Sequence, residues 1–515
     1  MNMNPRKNKL AVVAWIRAIG LSTAFALAFP CGANAASIFV DKNSTTMHED
    51  GSNSAPFRTI TRALEEARKI RFGSPEEGVR ASPRMINLHV ASSPTAYVGS
   101  FDPAVFDPAS PAYDPTKEKL PLLLNIPRLK LRGETRVLLD RSGLPSLIAQ
   151  GSETVVRADR PQGAKQYLVM VTRTVPLSGS GFSELEEMAG DDVTISGFWL
   201  QADPARQLPS TLIGVDGVTD FVVRRNVLSN GGMGVWTRLS SGRIEGNLAI
   251  NNAVGFFLTG GSNLFPARLE VWGNRSNSNE TGVGGLNLVG SGDTGNRRIG
   301  LDFGANKFAR VPLRTVFDRT LNPDEVPDTL AARVVGNEFT RHPQFGIRVV
   351  GYLQDPYTAA AGQDESANVT AAFSNNVCKL NAHYGLIVDA GQIPLGDRRV
   401  VMMDVSFDGT SLEENGFGPA IFSFWRYAGS ISLGSPTPFL MPNPTFAHDS
   451  RIKVCGDVTR FHYDNRQEPD PPTNPAPTNN RLTINNVDLT GLGVDSLFEV
   501  PVTSLNCGPR RYWHP

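Results

Sequence analysis

Trp236, Arg238, Phe257, Arg348, Asp389 and Phe422 are the side chains whose types suit one chemistry together. Flat apolar rings stack on sugar faces, guanidinium groups meet acidic substituents, and a carboxylate moves protons. His342, beside Arg341, and His383 add two imidazoles for general acid or base work, although a lone histidine at a turn is more often structural or merely solvated. Glu413-Glu414 is a pair of the kind that hydrolyses glycosides, but such acids must stand ~5 to 9 Å apart and face one groove. Neighbours in sequence rarely manage that. Asp191 and Asp192 offer oxygens to Ca²⁺, yet an acidic pair opening a strand is more often a turn. No cofactor is expected. No Cys/His metal spacing, Walker loop, dinucleotide fingerprint or nucleophile elbow occurs.

What must position these residues is a repeat. One copy reads Phe221-Val-Val-Arg-Arg-Asn226 and continues to Gly234-Val-Trp; the next reads Gly242-Arg-Ile-Glu-Gly-Asn247 and continues to Gly255-Phe-Phe. The pattern returns at Asn274 with Gly282, at Asn337 with Gly346, and at Asn376 with Gly385; a degenerate copy sits at Gly304-Ala-Asn306. Each copy is a short alternating strand, a turn, a second strand, a Gly-marked turn and a third strand. Alternation over four or five residues argues strands, and asparagine tolerates the left-handed backbone of a tight corner. Stacked coils bury alternate residues in one long core. The reading is all-β, a right-handed parallel β-helix of at least seven coils, with Asn226, Asn247, Asn274, Asn337 and Asn376 in one corner.

Alternation also sets the outward row. The residue after each repeat glycine points inward and the next outward, which gives Trp236, Phe257, Arg348, Ile387 and, counting Gly418 as the last repeat glycine, Ala420. Two positions on stand Arg238, Thr259, Val350, Asp389 and Phe422. Outward Phe, Ile and Val more often mean a sheet covered by loops, and the inserts at 309–330 and 351–367 are placed to cover it.

Upstream, Thr59 to Ile70 sets Ile60, Ala63, Leu64 and Ala67 on one helical face. An amphipathic helix there, followed by the strand from Met85 to Val90, caps the open end of a coil stack. The sequence divides into a leader (1–35), an N-terminal cap (36–80), the β-helix (81–430) and a C-terminal extension (431–515). In that extension, Gln467 to Asn480 is Pro-rich and Arg481 to Leu489 resumes strand-like alternation.

The segments Phe39-Val-Asp, Ala55-Pro-Phe-Arg-Thr-Ile-Thr-Arg-Ala-Leu64 and Asn125-Ile-Pro-Arg-Leu-Lys-Leu-Arg-Gly133-Glu-Thr resemble the N-terminal signature of secreted β-helix proteins of the pectate-lyase-like superfamily. With the Asn/Gly repeats, the resemblance covers most of residues 37 to about 430. It implies the fold and a groove over one sheet. It does not imply a reaction, because this scaffold carries lyases, hydrolases, epimerases, esterases, adhesins and tailspikes. Gly190-Asp191-Asp192 and Arg451-Ile452-Lys453 resemble tripeptides of polygalacturonases, but the Asn-Thr-Asp and Gly-His-Gly tripeptides of that family are absent, as is the Asp-Pro-His-Asp motif of alginate epimerases.

The chain of 515 residues carries Lys plus Arg 50 against Asp plus Glu 50, so nucleic acid and anionic membranes are not expected partners. A basic stub, an apolar stretch ending at Phe29 and Ala33-Asn34-Ala35 read as an export signal, too short for a span. Of the cysteines, Cys31 precedes the cleavage point and Cys378 falls in a core slot of the repeat. Cys455 and Cys507 are left as a candidate disulfide. Two functions follow: an exported protein binding or cleaving an acidic or neutral polysaccharide, or a non-enzymatic surface or adhesion module using the β-helix as a rigid scaffold. Oligomeric state is left open.

Overall fold

The computed structural model describes residues 35–151, 153–159, 166–172, 190–202, 211–238, 240–260, 267–277, 284–292, 328–353, 367–382, 384–393, 400–413 and 415, and then short strands between 429 and 498. The export signal, Cys455 and Cys507 lie outside the described residues.

One coil shows how the repeat builds. Along Phe221–Arg224, Phe221 and Val223 are buried while Val222 and Arg224 reach outward. Arg225 then takes φ 52°, the chain turns at Asn226, and Val227–Ser229 forms the second strand. Asn230 takes φ 62°, and Met233–Arg238 forms the third. Each strand pairs in parallel with its equivalent one coil on: Phe221 with Gly242, Val227 with Leu248 and Met233 with Val254. Repetition gives three sheets. Among the described residues sheet I has fourteen strands, sheet II, which follows the asparagine corner, has ten, and sheet III has twelve. Their inner faces enclose one apolar column in which each coil buries residues such as Val223, Leu228 and Val235. Three such burials contribute roughly 5–9 kcal/mol per coil before chain entropy is counted.

The five asparagines do share one corner. Asn226 Nδ2 donates to Asn247 Oδ1 at 3.1 Å, Asn247 to Asn274 at 2.9 Å, Asn274 to Asn337 at 2.9 Å and Asn337 to Asn376 at 2.9 Å. Each amide also donates to a sheet I carbonyl of the preceding coil, as Asn247 does to Val223 at 2.9 Å. The left-handed residue is the one before the asparagine: Arg225, Gly246, Gly273, Gly336 and Asn375. The backbone reversal falls there so that the following amide can point into the stack, and asparagine is present for its hydrogen-bonding ends rather than for its backbone tolerance.

The direct bond from Asn274 to Asn337, 63 residues on, corrects the degenerate copy at Asn306. Ala267–Trp272 pairs directly with Asp328–Val335, so one coil carries a long insert there. Sheet I also exceeds the expected bounds. It begins with Ala36–Val40 paired to Ile86–Val90 and continues past 430 through Arg451–Val454 and Arg481–Ile484.

The one α-helix among the described residues, Ile60–Phe72 (α1), is capped by Thr59, whose side chain accepts from Arg62 N. It buries Ile60, Ala63, Leu64 and Ala67 against the first strands of the stack. Its C-terminal end is bolted by Arg71, whose guanidinium donates to the carbonyls of Ser82 and Arg84. Burial lowers that guanidinium to about 10. Cys378 fills the core file of Phe339 and Leu412 and is fully buried; burial raises its thiol, so it packs as a hydrophobe. Among the described residues no helix is long and apolar enough to cross a membrane.

Candidate functional site on the outer face of sheet III

Sheet III carries the strands that follow the second corner. Its inward file, Val169, Ile213, Val235, Phe256, Leu286, Ile347 and Leu386, is fully buried. One position further, register aligns Met170, Gly214, Trp236, Phe257, Asn287, Arg348, Ile387 and Ser430 on the outer face. Trp236, Phe257, Arg348 and Ile387 stand where alternation places them, and each is half-buried.

Two places in this row differ from the sequence reading. Asn287 fills the site between Phe257 and Arg348, because Gly255 is followed one coil on by Gly285. Taking Gly282 as the repeat glycine hides it, since the corner after Arg275–Asn277 is longer than in the preceding coils. The strand next to Tyr384–Ile393 is Gly429–Ser432, so Ser430 and Ser432 hold the places assigned to Ala420 and Phe422. Those two residues lie outside the described residues.

At the early end the row is closed. Leu123, Tyr167 and Met170 form a small apolar cluster outside the main core, with Trp236 packed on it. The Tyr167 and Trp236 rings are 5.7 Å apart. Gly214 makes room: a Cβ there would lie 2.5 Å from the Tyr167 ring and 2.7 Å from Met170 Sδ. Trp236 is therefore fixed on one side by an aromatic neighbour.

Arg238 fixes it on the other. Its Nε donates to Asp216 Oδ1 at 3.0 Å and its Nη2 to Oδ2 at 2.8 Å, while the guanidinium lies 5.6 Å from the Trp236 ring centroid. Both charged groups are buried. The sequence reading offered Arg238 to substrate; the structure commits it to Asp216, and a forked pair of this kind is a positioning device. Asp216 was missed. The available signal was an opposite charge one coil, 22 residues, away.

Histidine 342 is corrected outright. It lies in the corner between sheets II and III, fully buried, with Nε2 3.1 Å from the Ser276 carbonyl oxygen. A second ladder runs through this corner: Asn252 Nδ2 donates to Leu228 O, Asn381 Nδ2 to Phe339 O and Asn415 Nδ2 to Cys378 O. His342 Nε2 meets the equivalent carbonyl, so the ring stands in for an asparagine and faces no groove. Desolvation lowers its pKa to about 4. A depressed base is protonated more readily when unfolded, so its contribution to stability is complete above pH ~6.5 and is lost as pH falls toward ~4. The expected result is that His342→Asn completes the ladder and removes that acid-sensitive stability, read as urea midpoints from pH 4 to pH 7. A variant with wild-type acid sensitivity would sink this assignment. His383 lies outside the described residues, and Asp389 is placed by its backbone alone, between Val350 and Ser432.

Gly190 to Asp192 forms the corner before the sheet I strand Thr194–Ser196, and Arg451 to Lys453 lies on sheet I with six strands between, too far apart to act together. Among the described residues no group of three His, Cys, Asp or Glu side chains could hold a metal ion.

No family model matches the chain, and no curated protein does. Three parallel sheets and an inward asparagine ladder decide the architecture. The fold is a parallel β-helix. Solved structures similar to it include the A-module of an Azotobacter vinelandii mannuronan C-5 epimerase, at 13% identity and TM-score 0.39, covering 83% of this chain and 89% of that one. A DFA-IIIase from Arthrobacter chlorophenolicus matches at 11% identity and TM-score 0.34, covering 81% and 94%. A rhamnogalacturonan lyase matches at 10% and 0.30, covering 81% and 87%.

Proposed function

We propose that this chain is an exported protein that recognises a polysaccharide laid along the outer face of sheet III. The observation that carries the reading is the outward file in which Phe257 and Arg348 stand half-buried on either side of Asn287, in register on successive coils. Asn287 itself is 3% exposed and packs between them. Phe257 supplies a stacking face on one side, and Arg348 a cation for an acidic ring on the other.

Affinity electrophoresis through gels containing polygalacturonate, alginate or a neutral glucan tests this. Phe257→Ala and Arg348→Ala together are expected to weaken retardation by about thirty-fold, near 2 kcal/mol. Retention of wild-type binding by the double variant would refute the site. The same purified chain, incubated with each polysaccharide with and without Ca²⁺, shows whether recognition leads to cleavage. The burial of Asp216, Arg238, Thr259 and Val350 favours the second reading, a rigid adhesion module, because it closes the file beside the row. A chain that binds glycan and leaves its length unchanged fits that reading.

A further inference from the structure

The outer face of sheet I holds a groove of about 920 Å³, of whose charged walls the sequence motifs singled out only Asp192. Its walls carry Lys130, Asp192, Asp220, Arg243, Arg268 and Glu270. Register explains how they gather. Lys130, Thr194, Val222, Arg243 and Glu270 form one outward file in successive coils. Asp192 and Asp220 are left-handed corner residues, at φ 53° and 57°, two positions earlier. Two of the connections joining sheet III to sheet I here are short, Gly217 to Asp220 and 239 to 241.

What sets the groove apart is that most of its charges do not satisfy each other. Arg224, also in its wall, pairs with Glu245 at 3.7 Å, as opposite charges in register do elsewhere on the coils: Arg238 with Asp216 at 2.8 Å, Arg275 with Glu338 at 2.9 Å and Lys379 with Glu413 at 3.4 Å. Arg243 and Glu270 are direct register partners, yet no ion pair joins them among the described residues. Lys130, Arg268 and Asp220 likewise have no ion-pair partner there.

A ligand for such a groove must offer anionic groups to the cations and donors to the carboxylates. A polyphosphate or nucleic acid offers the first and is repelled by the second. A saccharide bearing carboxylates offers both, because its hydroxyls donate to acids and its carboxylates accept from guanidinium and ammonium groups. Lys130 and Arg243 are three coils apart, about 14 Å at the inter-strand spacing, so the occupant is an extended chain along the coil axis rather than a single ring. We propose that this groove is a second glycan site, on a different sheet from the first, which binds a uronate-bearing oligosaccharide.

The test is calorimetric titration of the full chain with hexagalacturonate, with maltohexaose and tripolyphosphate as comparators. Arg243→Ala with Arg268→Ala is expected to lower hexagalacturonate affinity at least tenfold. Both side chains are exposed, so the coil is undisturbed. Asp220→Ala with Glu270→Ala separates the proposal from a plain basic patch: a saccharide site weakens when it loses hydroxyl acceptors, whereas a patch that only attracts anions binds more tightly. Tighter binding in the acid variant, tripolyphosphate binding as strong as hexagalacturonate, or no effect of the arginine variant would each overturn it. Loss of binding in Phe257→Ala with Arg348→Ala alone would leave the sheet III site standing and this one refuted.

Discussion

Replacing Asn274 with alanine is expected to destabilise the chain by about 4 kcal/mol, although the residue touches no candidate site. Its Oδ1 accepts from Asn247 N and Nδ2, both at 2.9 Å, and its Nδ2 donates to Ile244 O at 2.8 Å and to Asn337 Oδ1 at 2.9 Å. Alanine leaves the Asn247 amide and the Ile244 carbonyl unpaired in a fully buried corner, each costing about 1–3 kcal/mol, and leaves a void besides. Asn274→Asp sharpens the test. It is nearly isosteric, but it loses the donor and sets a carboxylate against two acceptor oxygens, so it is expected to cost at least as much as alanine. If packing alone mattered, aspartate would be mild. Urea unfolding measures both, and a loss below about 1 kcal/mol in either variant would show that the ladder is dispensable. In a solenoid each coil is held by its neighbours, so the damage is expected to spread along the stack.

Glu118 is expected to show the second large effect, at the other end of the molecule. Its carboxylate reaches the first turn of α1: Oε1 accepts from Ile60 N at 2.8 Å, and Oε2 from Thr61 N and Thr61 Oγ1 at 2.7 Å each. The two backbone groups are donors that a helix start leaves without intrahelical partners. The side chain is fully buried. Burial pushes its carboxyl up to about 7, against the pull of those three donors and of Lys42. Glu118→Ala is expected to cost about 3 kcal/mol, concentrated in the docking of α1. The pH dependence follows from the raised value: the folded state holds the proton more tightly than the unfolded chain, so this contribution is present below pH ~4.5 and is lost as pH rises through ~7. Hydrogen exchange of the α1 amides between pH 5 and pH 8 reads it directly. Protection that is unchanged in the alanine variant, or that strengthens with pH in the wild type, would refute the role. The trend runs opposite to that of His342, and the two are separable because they sit in different parts of the stack.

The sequence by itself determined the fold. Alternation with a recurring asparagine is a local signal that every coil restates, and a parallel solenoid sets neighbouring copies side by side, so one repeat predicts the contacts of the next. The inward files of sheets I and III, the asparagine corner, the core place of Cys378, the helix from Thr59, and the outward positions of Trp236, Phe257 and Arg348 were legible for that reason. Only the tertiary structure decided which residues meet where the repeat changes length. Asn287 was hidden by a longer corner, and Asn306 imitated a coil that the bond from Asn274 to Asn337 rules out. His342 carried an imidazole that suggests chemistry, but its slot in a second ladder makes it a stand-in for asparagine. Asp216 and Arg238 stand one coil apart in register, but only their burial beside Trp236 turned an expected substrate ligand into an internal pair. The groove on sheet I depends on short connections in adjacent coils and on charges that fail to pair. Residue types give no account of that, because pairing depends on which coil faces which and how far each side chain reaches.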